Sequence, residues 1–111
     1  MTFNEYQALA AVTDTRENDN IVYPALGLAG EAGEVAEKVK KLWRNKDITE
    51  GSRVGVFDAL EIKKELGDCL WYIAAIARKL NINLDDVAEA NIEKTHDRLK
   101  RGVIRSQGDN R

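Results

Sequence analysis

The sequence predicts an all-α domain built from four helices. Three observations predict it. The 111 residues contain a single proline and are rich in Ala, Leu, Glu and Lys, the residues that lose least in a helix. Apolar positions recur at helical spacing over long stretches, and β-branched runs with strict alternation, which a sheet would require, are too few. The length suits one domain, 1–111, with 106–111 expected as a flexible polar tail.

The elements follow in order. A first helix is expected over about 3–18, opened by Thr2 with Glu5 three residues later, a capping-box spacing. A second is expected over about 22–45, with Asn20 as its cap and Pro24 tolerated in the first turn. Residues 47–56 are polar and carry Gly51 and Gly55, so they read as a loop. A third helix is expected over about 57–80. A fourth is expected over about 84–101, with Asn83 as cap, Asp85 and Asp86 in the first turn and Gly102 as terminator.

Composition excludes several classes of function. Net charge is −2, so nothing points to a long nucleic-acid footprint and none is expected as a partner. The longest apolar run, Cys69 to Ala77, is about nine residues, far short of the roughly 20 needed to span a bilayer. The N-terminus lacks the layout of a signal peptide, and the lone Cys69 fits a reducing compartment, so a cytoplasmic location is expected.

The chemistry is concentrated in two acidic pairs. Glu31 and Glu34 are three residues apart in the second helix and share one face. Around them Gly27, Gly30 and Gly33 each cost about 1 kcal/mol against alanine in a helix interior, which points to close approach of another backbone or a ligand. Glu65 and Asp68 repeat the spacing in the third helix, and Asp68 is the sole charge between Leu66 and Ala77. An ionised carboxylate in so apolar a run requires a partner. If the two helices pack as an antiparallel hairpin, four carboxylates converge, and such oxygen donors suit Mg²⁺ or Mn²⁺.

The segment Gly27-Leu28-Ala29-Gly30-Glu31-Ala32-Gly33-Glu34-Val35-Ala36-Glu37, followed by Glu65-Leu66-Gly67-Asp68, resembles the signature of the MazG-like pyrophosphohydrolases. The stretch Asn91-Ile92-Glu93-Lys94-Thr95-His96-Asp97-Arg98 is similar to the fourth-helix pattern of that family. The Glu34-to-Glu65 spacer is slightly longer than the commonest one, and the extra residues fall in the 47–56 loop. The resemblance implies a four-helix MazG-like bundle. It also implies Mg²⁺-dependent hydrolysis of a (deoxy)nucleoside triphosphate to the monophosphate and pyrophosphate, in a homodimer or homotetramer. It implies Glu31, Glu34, Glu65 and Asp68 as metal ligands.

Other roles are expectations set beside that resemblance. Glu34 and Glu37 are the catalytic candidates, with the choice of water-activating carboxylate left open between them; Glu37 reads equally as a solvated charge. Lys94, Arg98 and Asn91 share one face of the fourth helix and are expected to meet the phosphates, with Lys38 and Lys41 as weaker candidates. Tyr72, four residues after Asp68, reads equally as a substrate contact or a core tyrosine. Trp43 offers a stacking surface, whereas Trp71, Cys69 and His96 read as packing or surface residues. Related superfamily activities, dUTPase or phosphoribosyl-ATP pyrophosphohydrolase, share the same metal chemistry. A non-catalytic helical dimerisation module accounts for the amphipathic helices but leaves Asp68 unexplained.

Overall fold

The computed structural model describes residues 1–17 and 20–111. It contains four helices, α1 (Phe3–Ala11), α2 (Val22–Arg44), α3 (Val56–Lys79) and α4 (Leu84–Lys100), and no strand among the described residues. The all-α expectation holds. Three of the four helices match the sequence reading to within a residue at each end.

The exception is α1, expected to reach residue 18 and ending at Ala11; Asn18 itself lies outside the described residues. Short polar side chains explain the early stop by bonding to nearby backbone in place of the helix ladder. The Thr13 hydroxyl donates to the Ala10 carbonyl at 2.9 Å, and Asp14 accepts from the Arg16 amide at 3.3 Å and the Arg16 side chain at 3.1 Å. At the other end Thr2 caps the helix as expected, accepting the Glu5 amide at 3.0 Å.

Pairings along α2 and α3 fix their relative direction. Gly27 lies against Tyr72 and Lys38 against Glu65, so position rises along one helix as it falls along the other. The hairpin is therefore antiparallel. Its 45–55 connection turns through Lys46 and Gly51, both at positive φ. α3 is the central rod, contacting α2, α1 and α4, whereas α4 makes no contact with α2. Pro24 is fully buried in the first turn of α2, where its missing N–H costs nothing.

Asn83 occupies the cap position of α4 but its side chain makes no capping bond. Side chains of α1 take over that task. Gln7 Oε1 accepts the Leu84 amide at 3.0 Å and Asn4 Oδ1 accepts the Asp85 amide at 2.9 Å. Gln7 Nε2 also donates to the Ile82 carbonyl at 2.9 Å. Gly102, at φ +70°, ends α4. Beyond it, Asp109 returns to α4 and pairs with Lys94 at 3.1 Å and Arg98 at 2.9 Å.

The core is thin. Leu42, Ala74, Ala75, Ala77 and Leu84 form its buried apolar part. The radius of gyration is 16.9 Å, against about 13 Å for a compact chain of this length. Phe57, Leu26 and Leu9 remain exposed.

Candidate functional site

The antiparallel register places Glu31 of α2 opposite Glu65 and Asp68 of α3. Ligand oxygens of these three carboxylates lie within 4.8 Å of one another. The i,i+3 spacing in α3 puts Glu65 and Asp68 on one face, and the small residues of α2 keep bulk away from the gap. Burial, then Asp68, then Glu65 push the Glu31 carboxyl above its ordinary value. Within the trio, Lys38 supplies a cation, its Nζ 3.5 Å from Glu65 Oε1. One lysine against three carboxylates leaves negative charge uncompensated. A divalent cation bound by oxygen donors matches that deficit in both charge and donor type.

An open cleft of about 370 Å³ adjoins the trio, lined by Glu31, Asp68, Thr13, Trp71 and Tyr72. Tyr72 enters it because Gly27 makes room: a Cβ at Gly27 would sit 2.3 Å from Tyr72 Cε1. Burial raises the Tyr72 hydroxyl above its ordinary value, with Tyr23 adding to the effect. The Trp71 ring stands edge-on to Tyr72, centroids 5.1 Å apart, and its Nε1 donates to Thr13 Oγ1 at 2.8 Å. Behind this wall the Arg16 guanidinium lies 3.9 Å from the centre of the Tyr23 ring. It also pairs with Asp14, whose side chain is 2% exposed. Hydrogen bonding from Arg16, reinforced by Arg78, holds the Asp14 carboxyl down at about 2.

Of the residues expected at the site, Glu31, Glu65, Asp68, Lys38 and Tyr72 are brought together. Glu34 is exposed one turn beyond Glu31 and stands outside the trio. Glu37 is taken up by Lys40 at 2.8 Å and Lys41 at 3.6 Å, which lowers its carboxyl through Lys40 first. Lys94 and Arg98 do not meet the carboxylates within the chain. They hold Asp109, and α4, which also carries the exposed Asn91, does not reach α2. Trp43 is 59% exposed and borders a separate cleft with Lys46, Ile48 and Thr49. At Gly27 the close neighbour is the Tyr72 side chain, not a backbone, and among the described residues nothing lies within 4 Å of a Cβ built at Gly30 or Gly33. Cys69 is half-buried, and burial, then the charge of Glu31, raise its thiol, which disfavours the thiolate form.

Sequence reasoning missed Thr13, Asp14 and Arg16, because it ran the first helix through them. The signal was present: Thr13-Asp14-Thr15 is poor in helix formers and rich in side chains that bond to their own backbone.

Comparison with known proteins bears on this geometry. Residues 24–103 match the family described as the MazG nucleotide pyrophosphohydrolase domain. The chain is 43% identical to the Gene 37 protein of Mycobacterium phage L5 over 95 residues, which cover 84% of this chain and 78% of that protein. No solved structure matches.

Proposed function

The chain belongs to the MazG nucleotide pyrophosphohydrolase family, and from that premise we propose that it hydrolyses (deoxy)nucleoside triphosphates to the monophosphate and pyrophosphate with Mg²⁺, or Mn²⁺, as cofactor. The observation that carries the proposal is the convergence of Glu31, Glu65 and Asp68 from two helices to within 4.8 Å. Such a trio has a structural cost without a cation and a purpose with one.

Glu31, Glu65 and Asp68 would hold the ion. When bound, a divalent cation offsets phosphate charge and lowers the pKa of coordinated water. Glu34, exposed at the rim, completes the carboxylate set and accepts the proton of the attacking water. Oxygen from that water bonds to the α-phosphorus, the α–β anhydride bond breaks, and pyrophosphate leaves. Glu37 orders the rim through Lys40 and Lys41. Lys38, already at Glu65, is placed to turn toward a phosphate.

The working unit is a homodimer, or a tetramer of dimers. An open chain with a radius of gyration of 16.9 Å and exposed Phe57, Leu26 and Leu9 supports a second copy completing the core. Across that contact Asn91, Lys94 and Arg98 of one copy serve the phosphates of the other. Among the described residues no helix is long and apolar enough to cross a membrane, and a cytoplasmic location accords with that.

The test is a panel of all NTPs and dNTPs with Mg²⁺, scoring pyrophosphate against orthophosphate. Pyrophosphate and the monophosphate in equal amounts are expected. Orthophosphate alone would end the reading, and the panel also separates a dUTPase-like preference from a broad one.

A further inference from the structure

The cleft beside the carboxylates has a second wall whose chemistry is not that of a phosphate or metal site. Beside the Tyr72 hydroxyl, its polar group is the hydroxyl of Thr13. That hydroxyl has one proton and two lone pairs. The proton goes to the Ala10 carbonyl at 2.9 Å, and one lone pair receives Trp71 Nε1–H at 2.8 Å. What remains is a single lone pair on a residue that lines the cleft with Glu31 and Asp68. Thr13 is therefore an acceptor without a proton to give. The same pairing uses the only donor of Trp71, which leaves its ring as an apolar surface beside Tyr72.

A phosphate oxygen is an acceptor and finds no donor in Thr13. An uncharged O–H or N–H donor does. Along a nucleotide, the donor closest to the α-phosphate is a hydroxyl of the sugar that carries it; the amino groups of the bases stand further out. Thr13 shares a cleft with two of the carboxylates that would hold the phosphates, which favours the nearer donor.

We propose that Thr13 is a specificity-determining residue: its Oγ1, its proton committed to Ala10, accepts a hydrogen bond from the sugar 3′-hydroxyl, the one that ribo- and deoxyribonucleotides share, and so selects substrates that retain it. This rests on the nucleotide-hydrolysing reading above. Trp71 positions the Thr13 hydroxyl and lends its ring face to the nucleoside.

The experiment compares a dNTP with its 2′,3′-dideoxy counterpart on the full chain with Mg²⁺. Wild type is expected to prefer the dNTP by about five- to tenfold in kcat/KM, the range of one neutral hydrogen bond. Thr13→Val is expected to handle both alike, and Thr13→Ser to restore the preference. Trp71→Phe, which removes the bond that positions the Thr13 hydroxyl and leaves the hydroxyl itself in place, is expected to weaken the preference without abolishing it. A preference that survives in Thr13→Val overturns the proposal. So does a Thr13→Val that erases discrimination between cytosine and uracil nucleotides while leaving the sugar effect intact, since the donor would then be on the base. If Thr13→Val does not fold, wild type alone decides, because equal rates on the two substrates refute the contact. Failure of the underlying reading looks different: no triphosphate releases pyrophosphate. In that event tryptophan fluorescence titration with a dNMP and its dideoxy counterpart decides the Thr13 contact, supported by tighter binding of the dNMP and overturned by equal binding.

Discussion

Adding one methyl group at Gly27 tests whether the site depends on close helix packing. An ideal Cβ there would lie 2.3 Å from Tyr72 Cε1, 2.4 Å from Cζ and 2.7 Å from Cδ1. Carbon atoms rest at about 3.5–4.0 Å, so the ring must withdraw by about 1 Å or more. Overpacking of this kind costs about 1–3 kcal/mol, and the better helix propensity of alanine returns about 1 kcal/mol. Gly27→Ala is therefore expected to destabilise by about 0–2 kcal/mol. Activity should suffer more, because Tyr72 borders the cleft with Glu31 and Asp68. A displacement of about 1 Å lowers kcat by up to about 100-fold. Gly30→Ala is the internal control. Among the described residues nothing lies within 4 Å of a Cβ at that position, so only the propensity gain of up to about 1 kcal/mol applies. The assay is urea unfolding of both variants beside steady-state pyrophosphate release, with near-ultraviolet circular dichroism reporting the tyrosines. If Gly27→Ala were as stable as Gly30→Ala, with unchanged aromatic signals and full activity, the packing argument would be wrong.

Three further predictions concern charge and assembly. Asp68→Asn should abolish both turnover and the stabilisation by Mg²⁺, whereas Glu34→Gln should lose turnover by more than about 100-fold yet keep most of that stabilisation, which is about 2.7 kcal/mol at a hundred times Kd and is read as a rise in Tm; helicity by circular dichroism should persist in both. The Asp14 carboxyl is held near 2, below its ordinary 3.8, so its contribution is complete above the unfolded value and disappears as pH falls through the folded one. That contribution is at most about 2 kcal/mol; accordingly the stability gap between wild type and Asp14→Asn should be widest above about pH 4 and narrow toward pH 2 in acid unfolding, and a gap independent of pH would refute the Asp14–Arg16–Arg78 assignment. Analytical ultracentrifugation at micromolar concentration should show a dimer or tetramer, with a monomer carrying full activity as the contrary result.

The helices that position the carboxylates were legible in the sequence because their signals are local. Apolar spacing, the i,i+3 acidic pairs and Gly102 each act within a turn or two, and α2, α3 and α4 appear where those signals place them. The antiparallel hairpin follows from a short connection. The cleft wall was not legible in the same way. Reading the first helix to residue 18 carried the helix past its last apolar residue, Val12, through the wholly polar stretch 13–18. What stops it is the competition of Thr13 and Asp14 side chains for the backbone, together with the capture of Asp14 by Arg78, which is 64 residues away and invisible to any window on the chain. Lys94 and Arg98 illustrate the converse. Their shared face was correctly read, but which carboxylate they meet depends on how the tail folds back, and Asp109 is the partner within the chain.

The mutual clasp between the start of the chain and the start of α4 has a consequence for folding and for engineering. Asn4 and Asp85 exchange bonds across 81 positions, each amide received by the other's side chain. Loop closure over that distance is slow and entropically unfavourable unless the intervening hairpin has already shortened the path. The last helix should thus be secured late, after α3 offers a surface for both ends. Its integrity is hostage to the first seven residues, so a fusion tag or trimming at the front would be felt at the far end of the fold.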